Sequence, residues 1–527
     1  MVQVKPDTTT VLVIGGGPGG SYAATLLQRE GHQVVLMEAA TFPRYHIGES
    51  MLPSLRDYLR FIDLEDEVAK HGFCVKPGAT FKLSRDVRES YTDFSLAGPN
   101  CTAWNVIRSE MDDLLLRNAR KHGVQVFEET RVTDIDFGGD PESSRPVAAH
   151  WSNKAGASGS IKFDWLIDAS GRAGIMSTKY LRNRVMRESL RNVAVWGYWT
   201  GVRGIGDGTE RAGSPWFEAL TDEQGWAWAI PLHDGTTSVG VVMHSDASKA
   251  KKDILTPEGQ KPTLTEHYLD QLKFLPGVRA LIGDTGKFIP GSTKSASDYS
   301  YFATRYSGDH FRIIGDAGNF VDPFFSSGVH IAMVGAISAA LTICASLNGE
   351  TEEKLAQEWH DAKVGIAHTR FLFVVLGAYQ QMHIQTAPIL GELDEENFDR
   401  AFDMFRPVIF GIADTSAKLT SDKVQNMMNV FEQLFDPRTH EDDIAEARRR
   451  YGAELVSMDA PILGKDAIDN LTKDDEVTKR VFEKMDALKG VASEYRVTDM
   501  ESQPIVGYVA RMQRGRLGLE LAPSKVG

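Results

Sequence analysis

The sequence predicts an α/β protein in which one domain of strands and helices is interrupted by a β-rich insertion and followed by a helical C-terminal region. Three observations lead there. The apolar strand Val11-Leu12-Val13-Ile14 runs into a glycine-rich turn and a helix. A strand-turn-helix pattern returns at Phe311-Arg312-Ile313-Ile314-Gly315-Asp316, and between the two, from about Asn192 to His244, the texture changes to alternating β stretches. With 527 residues, 42% hydrophobic and 25% charged, the chain has material for a large core, and at about 150 residues per domain it makes roughly two to four folding units.

The elements follow in order. Val11 to Ile14 reads as a strand, Gly15 to Gly20 as the turn, the residues through Arg29 as a helix and Gln33 to Glu38 as the next strand. A helix over Ser109 to His122, a strand over Val124 to Arg131 and an apolar strand Trp165 to Asp168, ending at Ala169-Ser170-Gly171, continue the pattern. Val193 to Thr200 and Thr237 to Met243 alternate as half-buried strands do, and Ser327 to Leu347 is a helix rich in Ala, Ile and Val. Beyond Thr351 long helical patterns with charged faces dominate, among them Glu441 to Tyr451 and Lys473 to Leu488. The expected division is a discontinuous nucleotide-binding domain (1–80, 101–175 and 290–350), a β-rich substrate domain (81–100 and 176–289) and a mostly helical region covering the substrate (351–527).

Composition removes several function classes. Fifty-eight basic against seventy-two acidic side chains leave a formal charge of −14, which repels a phosphate backbone, so nucleic acid is not expected as a partner. Three cysteines, Cys74, Cys101 and Cys344, are too few for a disulfide scaffold or a four-cysteine metal cluster, and no metal site is expected. The N-terminus shows no basic and apolar leader, and the apolar run Phe371 to Tyr379 falls short of the ~20 residues that cross a bilayer. A cytoplasmic protein without a transmembrane segment is the expectation; oligomeric state is not legible.

Gly15, Gly17 and Gly20 stand in G-x-G-x-x-G spacing after a strand and at the opening of a helix, with Gly16 and Gly19 between them. The first glycine permits the tight turn, the second lets the backbone approach a pyrophosphate, and the third allows close packing of helix on strand. The helix N-terminus then faces the phosphates, and Glu38 accepts from ribose hydroxyls. NAD and FAD are not separated by this motif.

Later segments separate them. Phe42-Pro43-Arg44 and Gly48-Glu49-Ser50 follow Glu38, Arg108 opens a helix, and Gly315-Asp316-Ala317 comes some 300 residues further on. In this combination the chain resembles the flavoprotein monooxygenase superfamily. The resemblance implies a Rossmann-like FAD-binding domain of that type with an inserted mixed β-sheet substrate domain and a helical C-terminal region. It also implies that Asp316 lies near the ribityl chain and pyrophosphate, and that Arg108 sits by the flavin.

Gly225-Trp226-Ala227-Trp228-Ala229-Ile230-Pro231 contains W-x-W-x-I-P complete. A tryptophan pair alone is ordinary strand packing; with the preceding segments, the string resembles the flavin-dependent halogenases. That resemblance implies that Trp226, Trp228, Ile230 and Pro231 partition the flavin from the substrate cavity. Reduced FAD and molecular oxygen then oxidise chloride or bromide to hypohalous acid, which travels to the substrate. In Asp322-Pro323-Phe324-Phe325-Ser326-Ser327-Gly328-Val329-His330 an irregular turn precedes a helix, where free N–H groups and the positive dipole end can hold an anion. By resemblance Ser327 and Gly328 hold the halide and Val329 lies against the flavin.

Lys76, in Phe73-Cys74-Val75-Lys76-Pro77-Gly78-Ala79, is selected as the catalytic lysine by the resemblance and not by composition. As ammonium it would donate a hydrogen bond to hypohalous acid; as neutral amine it would form a chloramine. Both forms stay open. Tryptophan-specific members carry a glutamate in the halide segment where this chain has Phe325, so Phe325 in the substrate pocket points to a ring that supplies its own activation, such as a phenol.

The segment Arg44 to Leu55 looks most like the fungal phenolic halogenases that act on polyketide aromatics. No second dinucleotide motif is evident, so a separate NAD(P)H-dependent flavin reductase is the expected partner. Three other functions compete: an aromatic hydroxylase of the same fold, a flavoprotein that saturates prenyl lipids, and a non-catalytic flavin-binding protein. Trp226, Trp228 and Lys76 together speak against the hydroxylase, and the non-catalytic reading leaves them without a role.

Overall fold

A computed structural model describes residues 4–523 apart from 84, 86–88, 95–100, 256–258, 298–299, 384, 386–440, 453, 458–459, 462, 464, 474, 495–498 and 503. Its first sheet is built on the strand Thr8–Ile14, whose last four residues are fully or almost fully buried. Such a continuous apolar run is what a parallel strand covered on both faces requires. Thr8–Ile14 pairs in parallel with Val34–Met37 on one side and with Ser158–Asp168 on the other. Gln125–Phe127 and Phe311–Ile313 extend the sheet in parallel at its two flanks. An antiparallel meander of Thr130–Phe137 and Pro146–Asn153 leads into Ser158–Asp168. The sequence reading placed a single strand over Val124 to Arg131; the chain instead breaks there into two, because Thr130 begins the meander.

Helices Pro18–Arg29, Arg108–Lys121 and Gly328–Leu347 cover one face of this sheet and share a core of Val11, Tyr22, Leu26, Leu115, Met333 and Ile337 with it. Gly328–Leu347 is long and apolar enough to cross a membrane, yet 89% of its apolar window is buried inside the protein. A helix hydrophobic on every side is what a core position demands.

The second sheet runs Lys287–Phe288, Asn192–Thr200, Thr236–His244, Gly225–Pro231, Trp216–Ala219, Gly78–Lys82 and Ser90–Asp93. Lys294–Ser297 also pairs with Asn192–Thr200, so this sheet takes strands from both sides of the boundaries read at 80 and 290. The long helix Glu353–His383 packs Phe371, Leu372, Val375 and Tyr379 onto its inner face, against Trp196, Trp226 and Trp228.

The C-terminal region also contains a hairpin, Tyr508–Arg511 with Gly518–Leu521. Its Ala510, Leu517 and Leu519 enter the first core, and Glu30 accepts hydrogen bonds from the amides of Gly515 and Leu517 at 2.8 and 2.9 Å.

Arg312 ties the first sheet to the long helix. Its buried guanidinium bridges Glu353 at 2.9 and 3.1 Å and donates to Thr342 Oγ1 at 3.0 Å. Replacing one partner of such a pair costs about 3–5 kcal/mol. Arg312→Leu is therefore expected to lower the thermal midpoint by several degrees, measured by differential scanning fluorimetry.

Candidate flavin and halide site

The parallel strands end on one edge, and a cavity of about 650 Å³ opens there, walled by the glycine turn, Glu38, Arg44, Arg108, Gly315-Asp316 and the tryptophan strand. Gly15 adopts φ +102°, and a Cβ there would meet Ala169 O at 2.3 Å. A Cβ on Gly20 would stand 2.0 Å from Gly15 O, so the helix lies against the turn at a distance that glycine alone allows. Gly15, Gly17, Gly19 and Gly20 line the cavity. Gly16 serves from behind: its N–H donates to Glu38 Oε2 at 2.6 Å, while Ala40 N–H donates to Oε1 at 2.7 Å. Each carboxylate oxygen keeps lone pairs for ribose hydroxyls. A bare backbone cradle at a helix N-terminus beside a fixed acid fits the diphosphate and ribose of FAD.

Charge is organised around a residue that sequence reasoning missed. Asp112, fully buried, accepts from Arg108 Nε at 2.9 Å and Nη2 at 3.0 Å, and from Arg44 Nη1 at 2.9 Å. Burial alone would push its carboxyl up; Arg108 and Arg44 outweigh that and hold it below the usual carboxylate range. Arg108 also donates to the carbonyls of Ile47 and Gly48 at 2.9 and 3.2 Å, which fixes the Gly48-Glu49-Ser50 segment on the cavity wall. The guanidinium charge, with burial, pulls His46 down to about 4, so that ring is neutral at pH 7.

Glu49 lines the cavity with its carboxyl pushed up to about 7 by burial. Tyr198 Oη–H donates to Glu49 Oε1 at 2.7 Å, Tyr45 lies 3.0 Å from that hydroxyl, and Trp196 Nε1–H donates to Tyr45 at 2.8 Å. Asp316 also lines the cavity, raised to about 6 by desolvation against the pull of Arg108.

Trp226 and Trp228 project from one face of Gly225–Pro231, as residues two apart on a strand must, and with Ile230 they face the cavity. Their ring centroids are 5.8 Å apart, and Phe324 meets Trp226 edge-on at 5.0 Å. Trp226 Nε1–H donates to Tyr379 Oη at 2.8 Å, and Tyr379 donates to Asp322 Oδ2 at 2.9 Å. Asn192 donates to the same Asp322 oxygen at 2.9 Å. Pro231 ends the strand off the cavity wall.

At the turn expected to hold the halide, Ser326 takes φ +57°, and Gly328 opens the twenty-residue helix Gly328–Leu347. Ser326, Gly328 and Val329 line the cavity. Ser327 is fully buried just behind them, and its Oγ has no hydrogen-bond partner among the described residues. Phe325 lies away from the cavity wall, perpendicular to Phe324 at 4.8 Å and near Phe81 at 5.8 Å.

Lys76 is 1% exposed, on the short strand Cys74–Lys76. Its Nζ donates to Ser50 Oγ and Met51 O, both at 2.9 Å, and lies 5.1 Å from the Phe94 ring. Ser50 is on the cavity wall, so the amine stands one residue behind it. Burial pulls Lys76 down to about 7.

The glycine cradle, the fixed Glu38 carboxylate and the arginine pair define an FAD-dependent oxidoreductase. The family model described as an FAD binding domain matches residues 8–369. A flavin-dependent halogenase of Armillaria mellea, armH5, is 53% identical over 524 residues, 98% of this chain and 99% of that protein. The sulochrin halogenase gedL of Aspergillus terreus is 47% identical over 536 residues, 99% and 95% of the two chains.

Among solved structures, the myxobacterial chondrochloren halogenase CndH is similar at TM-score 0.65 and 28% identity, covering 81% of this chain and 97% of that one. The flavin-dependent halogenase CmlS is similar at TM-score 0.67 and 27% identity, covering 85% and 78%. The chain belongs to the flavin-dependent halogenases, enzymes whose co-reactants are FAD, a halide and oxygen.

Asp112 is the counter-charge shared by both cavity arginines. Asp112→Ala is expected to weaken FAD binding at least about tenfold and to lower the thermal midpoint, because the buried Arg108 guanidinium and the half-buried Arg44 guanidinium lose their shared partner. Flavin fluorescence titration and thermal denaturation check the two effects.

Proposed function

We propose that this halogenase chlorinates or brominates an electron-rich phenolic ring of a small secondary metabolite, with Lys76 as the group that hands over the electrophilic halogen. The observation that carries the reading is the Lys76 amine: almost fully buried, drawn toward 7, and hydrogen-bonded to Ser50 on the wall of the flavin cavity. A lysine in that position has no solvation role to play and is held where an oxidant leaving the cavity would meet it. In this reading the first sheet holds FAD, and the second sheet with the helix Glu353–His383 frames the substrate chamber.

FAD, bound in its reduced form, supplies with oxygen the two-electron oxidation of halide to hypohalous acid. The halide occupies the turn before Gly328, where the Ser327 hydroxyl, unpartnered among the described residues, and the helix N-terminus offer donors to a small anion. Trp226 and Trp228 keep the organic substrate from the flavin, which favours halogen transfer over oxygen transfer. Below about pH 7 the Lys76 ammonium donates a hydrogen bond to hypohalous acid; above it the free amine attacks the halogen, the O–X bond breaks, and hydroxide leaves as water with a proton from the amine, giving an N-halo amine.

The phenol follows from Phe325, which brings no carboxylate to stabilise a cationic indole, whereas a phenol stabilises the ring intermediate through its own oxygen. The relative from Aspergillus terreus, named for sulochrin, supports a secondary-metabolite substrate. Reduced flavin comes from a separate NAD(P)H-dependent reductase, in a cytoplasmic setting where Cys74, Cys101 and Cys344 stay as thiols.

The test supplies FAD, a flavin reductase with NADH, oxygen and chloride or bromide to the enzyme with a panel of phenols. Mass spectrometry is expected to show halogen isotope patterns, and no turnover when the reductase is left out. Hydroxylated products in their place, or efficient direct NADH oxidation by the purified protein, would overturn the reading.

Lys76→Met separates the lysine's chemistry from its folding cost. A lysine lowered from 10.5 to about 7 leaves the unfolded chain binding more protons between those values, so its penalty on folding is full below about 7 and relieved as pH rises. The variant is expected to bind FAD, to make no halogenated product, and to melt higher than the parent by a margin larger at pH 6 than at pH 9. Retained halogenation would remove Lys76 from the reaction.

A further inference from the structure

We propose that His71, Glu110 and His233 form a binding site for one divalent transition-metal ion, Zn²⁺ being the best match. The sequence reading expected no metal, because cysteine count and local spacing show none. The fold assembles the site from three separate elements.

His71 ends the helix Glu65–His71, Glu110 sits in the first turn of Arg108–Lys121, and His233 follows the strand Gly225–Pro231 at its hairpin turn. His71 Nε2 lies 2.7 Å from Glu110 Oε2, and His233 Nε2 lies 3.2 Å from the same oxygen. All three donor atoms fall within 4.8 Å of one another.

Phe73 sets the two imidazoles. Its ring lies 4.4 Å from that of His71 and meets His233 at 5.2 Å and 89°. Two imidazole nitrogens and a carboxylate oxygen on one point are the donor set that suits Zn²⁺, with water completing a tetrahedron. Ligands at about 2.0–2.2 Å from zinc stand roughly 3.3 Å apart, so His71 and Glu110 must separate by about half an ångström on binding. Their side chains are 30% and 36% exposed, which leaves room for that movement.

The competing account is a hydrogen-bond cluster in which both rings donate to one carboxylate oxygen. The two differ in what they predict for an added ion.

The position gives the site a purpose. Phe73 directly precedes the strand that carries Lys76, Glu110 is two residues from Arg108, and His233 is two residues beyond W-x-W-x-I-P. An ion held by all three elements would cross-link the lysine strand, the arginine helix and the tryptophan hairpin, and would stabilise their mutual placement in the folded state alone.

The experiment uses the full-length, FAD-loaded enzyme freed of metal by chelation and dialysis. Equilibrium dialysis against Zn²⁺, absorption spectroscopy with Co²⁺ and thermal melts are run on the parent, His71→Ala, His233→Ala, Glu110→Gln and the control His150→Ala. The parent and the control are expected to bind a single ion, to give the d–d bands of tetrahedral Co²⁺ and to melt higher with Zn²⁺. Each site variant is expected to lose about tenfold or more in affinity while keeping its FAD absorbance, which shows that it is folded. No binding by the parent, or equal binding by the parent and the two histidine variants, overturns the proposal.

Discussion

The alignment of carboxyl ends in the first sheet is the constraint on which the rest of the molecule depends. In parallel register Ile14 lies opposite Met37 and Asp168, and Asp168 lies opposite Ile313. Four chain segments far apart in sequence are therefore released at one edge, and each turns there. Asp168 fixes its own turn: it is fully buried, accepts from the amides of Ser170 at 3.0 Å and Met176 at 2.8 Å, and so aims Ala169 to Gly171 at the glycine cradle. The cofactor cavity is the space these turns leave. Its position is a property of strand direction, and its chemistry is a property of the side chains the turns carry.

Those side chains follow two electrostatic regimes. Asp112 is buried among guanidiniums and stays ionised, a paired charge that orients Arg44 and Arg108 without offering a proton. Lys76 and Glu49 are buried with weaker compensation, and desolvation draws both toward 7 from opposite directions. The cavity wall therefore combines fixed charge suited to holding an anionic cofactor with a group, Glu49, whose protonation changes near neutral pH, and the two are coupled, because Arg108 pulls the Glu49 carboxyl down against its burial. Lys76 stands one residue behind that wall, through Ser50.

What could be read in the sequence was what local periodicity carries. The strand before Gly15, the helix after it and the alternation around Trp226 each express a backbone period over a few residues, and each appears at nearly the expected bounds. Asp112 was legible in principle, because Arg108 and Asp112 are four residues apart on one helix, the spacing of an intrahelical ion pair. Lys76 was not singled out by its surroundings: Phe73 to Ala79 is mostly apolar, but that does not mark out one amine among the lysines, and only the family resemblance selected it. Trp196, Tyr45 and Tyr198 reach Glu49 only through tertiary contact, as do His71, Glu110 and His233. The hairpin Tyr508–Arg511 with Gly518–Leu521 was hidden for a different reason. Its strands are four residues long and sit in a charged segment, so their burial comes from docking onto a core built elsewhere. The side chain of His383, a histidine at the end of the helix Glu353–His383 that could serve as a base for a phenol, lies outside the described residues.

The tryptophan partition depends on more than the motif that announces it. Trp226 is held through Tyr379, which belongs to the long helix Glu353–His383, and Tyr379 in turn rests on Asp322, the residue that caps the turn before Gly328 by accepting from Phe324 N–H at 3.2 Å. Burial pushes the Asp322 carboxyl up to about 6, so at neutral pH it still accepts from Tyr379 and Asn192. The Trp226 ring on the cavity wall, the turn at the helix N-terminus and the helix over the second sheet are thus one hydrogen-bonded unit. Buried polar networks of this kind favour a single arrangement, because losing one member leaves the others unsatisfied in a low-dielectric interior. On the proposed function, the choice between halogen transfer and oxygen transfer would therefore be set partly from Tyr379, outside residues 8–369 of the FAD binding domain. Changes in the helix that bears Tyr379 reach the Trp226 ring and Asp322 without altering a residue of the glycine cradle.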